Sequence, residues 1–253
     1  MSKLNHYLLQ AITILGAMIS TDVMAFNWGD GVSAWGKVGR PNSVTFSRGF
    51  SGSCINCDLA GRNLGGARLN NGNFVGAQFA GAQMRRAELD GGNFSNSDFS
   101  RADLGFASLE SAHIFNGNFV GATLNNTEAS GATLSHGNFT GAILDNAEFI
   151  GANLAYSNFT ASRARSTEFN GSNLMGARFD SAEINGADFS NANMRGVKAN
   201  RTRFSQVDFT GANLSGADLS GSIGLNRSQL DGACGDDKTR LPDGLSVPPC
   251  KKR

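Results

Sequence analysis

The chain has 253 residues, enough for one large domain, but only 40% are hydrophobic and 33 are glycine, a poor match to a conventionally layered core and a better one to a narrow, repetitive core. Its formal charge of +1 excludes a global field strong enough to recruit nucleic acid or an anionic membrane surface.

Residues 1–25 read as an export signal. Lys3 supplies a positive start, Leu8 to Ile19 an apolar stretch, and Val23-Met24-Ala25 a small-residue cleavage site that would leave Phe26 first. As a membrane anchor the stretch is interrupted by Gln10 and Thr13 and falls short of the ~20 residues needed to span. No Cys follows the site and no later segment is apolar enough to cross a bilayer, so the mature chain is expected to be soluble, exported to the periplasm or beyond, with no membrane span. Residues 26–53, with Trp28, Trp35, Phe46 and Phe50, are expected to form an N-terminal capping segment.

From Leu59 to Leu219 a five-residue period runs without a break. At its central position, i, all 33 residues are Leu, Phe, Ile, Met or Ala. Position i−2 is mostly small, as in Ala67, Gly72, Ala77 and Ala82, so i and i−2 point inward together from one short strand. At i+2 stand 16 Gly and 6 Asn, residues that tolerate positive φ in tight turns. A very short strand followed by a corner is the element that fits a period of five.

A second period of 20 is visible in the same residues. Phe79, Phe99, Phe119, Phe139, Phe159 and Phe179 form one series, and Phe149, Phe169, Phe189 and Phe209 another. Four corners per coil would stack each series as an internal aromatic column. Position i weakens to Ala at Ala129, Ala164 and Ala199, where i−2 holds Thr127, Ser162 and Val197; Ser162 is a poor filler and marks a small cavity. Arg62 departs from the inward pattern at the first coil and is expected to reach over its open end.

The register Gly-Ala-Asn-Leu-Ser-Gly-Ala-Asp-Leu-Ser at 211–220 resembles the pentapeptide-repeat family and covers, with its neighbours, about two thirds of the chain. The resemblance implies an all-β fold: a right-handed, four-sided parallel β-helix over 54–222. At ~4.8 Å per coil, roughly eight coils make a rod about 40 Å long. After Leu219 the phase fails. Asn226-Arg227-Ser228-Gln229 has the form of a capping box for a short helix carrying Leu230 and Ala233, so 223–253 is expected to be a C-terminal capping helix and a Pro-rich tail.

Four cysteines in an exported chain suit two disulfides, although four allow three connectivities. Cys54 and Cys57 face inward across one corner, a spacing that allows a bridge without requiring it. Cys234 and Cys250 would tie the helix to the tail, closing a loop worth roughly 3 kcal/mol. A redox or zinc reading of Cys54 and Cys57 lacks, respectively, a helix N-terminus and two further ligands.

His6, His113 and His136 are isolated, and Asp98, Asp103, Asp188, Asp208 and Asp218 take the outward i−1 position as solvated or turn-supporting groups. No catalytic constellation, phosphate loop or cofactor motif appears. The expected function is a non-enzymatic binding or structural module for an unidentified protein or glycan, with no nucleic-acid partner and no cofactor. The alternative comes from the family's gyrase-protecting branch, whose members resemble B-DNA by their acidic surface; near-neutral charge and export argue against it here. Two surface patches are candidates for contact. Phe115, His136, Tyr156 and Met175 lie along one corner, and Arg163, Arg203, Arg178 and Lys198 share columns suited to an anion. The sequence leaves the oligomeric state open.

Overall fold

The computed structural model describes residues 52–251. Expectations for the export signal, the Phe26 start and the capping segment with its Trp and Phe residues therefore lie outside the described residues.

The repeat folds for a local reason. In most five-residue units the carbonyl of residue i accepts the N–H of i+3, as in Ala77 N to Phe74 O at 3.0 Å and Ala147 N to Leu144 O at 3.0 Å. This closes a β-turn whose third residue must have positive φ. From Gly61 to Gly216 every such residue does, with φ between 51° and 71°. Between corners a single residue at i−1 pairs in parallel with its counterpart 20 residues on, from Ser53 with Asn73 to Arg203 with Ile223. Four turns thus make one coil, and each coil lies on the last as a parallel β-helix.

The core is a thread of i and i−2 side chains. Phe79, Phe99, Phe119, Phe139, Phe159 and Phe179 are buried and stack with centroids 4.7–5.0 Å apart and ring planes within 6°. A second column, Phe149, Phe169, Phe189 and Phe209, stacks at 4.9–5.5 Å and meets the first edge to face, as in Phe159 against Phe169 at 80°. Offset stacking within columns and edge contact between them are the two geometries that aromatic quadrupoles favour. Gly137 occupies an i−2 position because the Phe139 ring lies over it: a Cβ there would sit 2.7 Å from Phe139 Cε2.

Hydroxyls at i−2 are tolerated where they donate to a carbonyl of the preceding coil. Thr127 Oγ1 reaches Leu104 O at 2.9 Å, Thr167 Oγ1 reaches Leu144 O at 2.8 Å, and Thr202 Oγ1 reaches Phe179 O at 2.6 Å. Ser172 instead donates to Phe169 O within its own unit, at 2.6 Å, and Ser162 is fully buried beside Ala164 with no partner for its hydroxyl. Ser162→Ala is therefore expected to be neutral or to stabilise by up to about 1 kcal/mol, whereas Thr167→Val should cost on the order of 1 kcal/mol. Thermal melts of the two variants check the contrast.

The C-terminal segment departs from expectation. The anticipated helix is a single 3-10 turn, Arg227–Leu230, with Asn226 and Gln229 forming the reciprocal capping box; Ala233 lies beyond it. Gln229 also donates through Nε2 to Phe204 O at 2.6 Å, so the turn is bound into the stack. The chain then continues as an irregular further coil: Leu214 N donates to Cys234 O and Leu219 N to Arg240 O, each at 2.8 Å. Bridges Asn213 with Cys234 and Asp218 with Arg240 show the spacing lengthening from 20 to 21 and 22. A longer helix would leave the edge N–H groups of the last regular coil unpaired, and the extra coil satisfies them. Leu241, Leu245 and Val247 of the tail pack against the core.

Candidate functional site

A fixed 20-residue coil assigns every outward side chain to one of four faces. Taken in chain order, the first face carries the column Ser53 to Asn213, the second Asp58 to Asp218, the third Asn63 to Ile223 and the fourth Arg68 to Asp208. Each face is one bridging residue wide, flanked by the i+1 and i+2 residues of its corners.

The first and second faces meet at the corner that holds Phe115, His136, Tyr156 and Met175. The four lie together, and three of them form an external ladder. The Phe115 and His136 rings are 5.3 Å apart edge to face, and the His136 and Tyr156 rings are 5.2 Å apart and nearly parallel. Tyr156 then lies over Gly176 of the next coil, where a Cβ would come within 2.6 Å of its ring. Phe115 remains 47% and Tyr156 53% exposed, so the ladder is a ridge braced by self-stacking, not a buried seam.

The basic candidates are largely neutralised by neighbours one coil away or on the same corner. Arg163 Nε pairs with Asp145 at 2.8 Å, Arg203 with Glu183 at 3.1 Å and Arg178 with Asp180 at 2.8 Å. Lys198 has no ion pair among the described residues. Three of the four cations of the candidate anion patch thus already hold a carboxylate, and an anion would have to compete for them. Glu183 sits at the centre of this network. A hydrogen bond from Arg165 at 2.7 Å, aided by the charges of Arg203 and Arg163 and opposed by partial desolvation, holds its carboxyl below 4.5.

A depressed carboxylate stabilises the fold above its unfolded value and loses that contribution as the pH falls through the lower folded value. The Glu183 network should therefore stabilise the rod above about pH 4.5, by no more than about 1 kcal/mol because its members are solvated. Glu183→Gln is expected to lower the melting temperature slightly at pH 7 and to melt with the native protein in stronger acid. Paired melts across that range measure the difference.

The fourth face is acidic. Glu128, Glu148, Glu168, Asp188 and Asp208 are bridged neighbours in one column, and none has an ion pair among the described residues. Only Glu88, at its start, pairs with Arg68, at 3.3 Å. Stacked like charges at one strand spacing repel, so five in succession mark a surface whose composition is not set by stability.

The sequence pattern described as Pentapeptide repeats matches in eight copies, over 53–91, 77–114, 102–146, 142–180, 157–196 and 187–223. The chain belongs to the pentapeptide-repeat family. With membership comes the right-handed sense of its β-helix. Similar solved structures include HetL, a pentapeptide-repeat protein involved in heterocyst differentiation regulation from the cyanobacterium Nostoc: 24% identity over 68% of this chain and 87% of that one, TM-score 0.39. QnrB1, a plasmid-mediated fluoroquinolone resistance protein, shares 23% identity over 78% and 90%, TM-score 0.35. A pentapeptide-repeat protein of the Arabidopsis thaliana thylakoid lumen shares 21% over 61% and 82%, TM-score 0.31. No curated protein sequence matches this chain.

In this pentapeptide-repeat rod the two cysteine pairs lie at bonding distance, with Cα separations of 5.5 Å for Cys54 and Cys57 and 4.7 Å for Cys234 and Cys250. The second pair holds the tail against the added coil, where Gly235 N donates to Pro248 O and Cys250 N to Gly235 O. Arg62 is half-buried at its inward position. Sequence reasoning found the aromatic corner but missed the segregation of charge. Its signal was available, because outward residues sorted by position within 20 separate the acids at 128, 148, 168, 188 and 208 from an uncharged column at 73 to 213.

Proposed function

We propose that this protein is an exported, non-enzymatic binding or structural module that presents chemically distinct faces of a rigid rod to an extracytoplasmic partner. The observation that carries the reading is the sorting of side chains by face: an uncharged, amide-rich first face edged by the aromatic corner, and a fourth face lined by unpaired acids. A scaffold without a partner has no need to sort its surface while its core repeats evenly. The family's members are generally binding or structural proteins, and two closable cysteine pairs fit an oxidising compartment. Export rests on residues 1–25; intact mass of the protein recovered from expressing cells should give a chain starting at Phe26 with no alkylatable thiol. Retention of Met1, or four free thiols, would remove the exported role.

Chemical crosslinking of the intact protein in its own compartment tests the module itself. A specific partner whose capture depends on one face supports it, and indifference to changes on every face would count against it.

One observation favours a second reading, a DNA-mimicking gyrase-binding protein. The acidic column spans about 19 Å at regular strand spacing, and a net charge near zero does not describe it, because the cations lie mostly on other faces. Export still separates the chain from gyrase. No inhibition of gyrase supercoiling is expected; potent inhibition at submicromolar protein, relieved by Glu148→Gln with Glu168→Gln, would place the second reading first.

A further inference from the structure

We infer that the first face, with the middle coils of the second, binds a neutral, extended polysaccharide, with the Phe115, His136 and Tyr156 ladder as its central contact. The inference rests on the binding-module reading and names its ligand class.

Charge selects this surface. From Ser53 to Asn213 the first face carries no Asp, Glu, Lys or Arg, and the second is uncharged through Asn118, Asn138 and Asn158. Desolvating a charge is costly unless it is paired, so the first face and these middle coils of the second are the surface that a ligand can cover without a counter-ion. The charges of the second face, Asp58, Asp98, Arg178, Lys198 and Asp218, lie toward its two ends, on either side of this stretch.

The polar groups on this surface are already oriented. Asn173 Oδ1 accepts the Met175 N–H at 3.3 Å and the Asn193 amide at 2.9 Å; Asn153 Oδ1 accepts the Ala155 N–H at 3.3 Å and the Asn173 amide at 3.2 Å. The oxygen and one N–H of Asn173 are thus used within the column, leaving its second amide N–H for a ligand. On the second face Thr140 and Thr160 each donate to the Asn two residues back, at 2.6 Å, which leaves the Thr160 hydroxyl oxygen as an acceptor. Side chains fixed before binding have little rotamer freedom left to lose.

The ladder supplies the apolar component. Rings half exposed in the middle of an uncharged amide and hydroxyl surface match a pyranose, which has C–H patches beside a rim of hydroxyls. The repeat decides between a polymer and a folded protein. An Asn recurs at most coils of the first face, from Asn153 to Asn213 without a break, at about 4.8 Å spacing, and a chain of identical sugars repeats likewise, whereas the surface of a globular partner does not.

The test uses the full chain as the cell processes it, with immobilised β-glucan, mannan and chitin as neutral probes and alginate as an anionic one. Retention on at least one neutral polysaccharide is expected, with little on alginate. Phe115→Ser with Tyr156→Ser should weaken that retention at least tenfold, Asn158→Asp should weaken it severalfold, and Glu148→Gln on the acidic face should leave it unchanged. Each variant is accepted only if its circular dichroism and melting temperature match the native protein. Stronger retention on alginate, no retention on any neutral probe, or loss caused by Glu148→Gln overturns the inference. So does a dimer in sedimentation that Asn158→Asp dissociates, since the uncharged surface would then cover a second copy. If the polysaccharides fail while crosslinking still captures a face-dependent partner, this inference falls and the module reading stands; if both fail, both fall.

Discussion

Ala152→Asp is expected to unfold the middle of the rod, while Asn153→Asp, one residue along, leaves it intact. Ala152 is an i−2 residue with no solvent exposure, set between Phe149 and Leu154 in a core one coil wide. A carboxylate there has no water, no cation and no donor. The backbone groups that this core offers to i−2 side chains are mostly carbonyls, and the tolerated hydroxyls Thr127, Thr167 and Thr202 all act as donors to them; the Gly137 N–H that reaches Ser157 Oγ at 3.2 Å belongs to another unit. An ionised carboxylate can only accept, so it meets acceptors with an acceptor. The cost of an unpaired buried charge exceeds about 4 kcal/mol. Asn153, by contrast, points outward and uses its Oδ1 to accept from Ala155 N and Asn173 Nδ2. Aspartate keeps that oxygen, and its effect should stay within ~0.5 kcal/mol. Loss of the native circular dichroism in the first variant and its retention in the second is the expected result. An Ala152→Asp protein melting within a few degrees of native would show that the interior is wetter than the packing implies.

That one-residue contrast is also why so much of the fold is legible in the sequence. The pleat forces i and i−2 inward and i−1 outward, so Leu, Phe and Ala must recur every five residues, and the turn favours Gly or Asn at i+2. The 20-residue coil follows from the Phe columns, since a ring stacked on Leu would forfeit the offset contact seen between Phe119 and Phe139.

Surface chemistry is less legible, because lateral neighbours are not only 20 residues apart. Arg163 meets Asp145 and Arg165 meets Glu183 across 18 residues, from an i−1 position to an i+1 position one coil away. Counting only steps of 20 aligned Arg163 with Arg203 and passed over Asp145, the acid that Arg163 holds, while Glu183, which Arg203 holds, stands between the two in their own column. A single net charge erased the acidic face for the same reason: it sums over directions that a rod keeps apart. Past Leu219 the inward pattern is lost, and Asn226 to Gln229 carries only a local cap signal. Whether such a cap starts a long helix or one 3-10 turn depends on the edge waiting beneath it, which is a tertiary fact.

Phe159→Ala should cost about 3–5 kcal/mol, a loss at the upper end for a single truncation. Phe159 is the fifth of six rings in the longest aromatic column, 4.8 Å from Phe139, 4.7 Å from Phe179 and edge-on to Phe169 at 5.9 Å. Removing it opens space for a ring and deletes two stacked contacts and one edge contact, each worth about 0.5–1.5 kcal/mol beyond burial. The walls cannot close on the gap. Phe159 N is held to Arg178 O at 2.7 Å and Arg178 N to Ser157 O at 3.0 Å, and the same ladder fixes every coil above and below, so the backbone spacing that positions Phe139 and Phe179 does not shrink. Incomplete collapse is what places a large-to-small change high in its range. For a domain of this size the melting temperature should fall on the order of 10 °C. Because repeats contact only their neighbours, the cavity should also weaken coupling between the two halves of the rod and broaden the transition. Combining Phe139→Ala with Phe159→Ala tests the stacking term: the pair shares a contact that each single variant removes, so the double variant should lose less than the sum of the two. Strict additivity, or a fall of only 1 or 2 °C for Phe159→Ala, would mean that the rings fill volume without supporting one another.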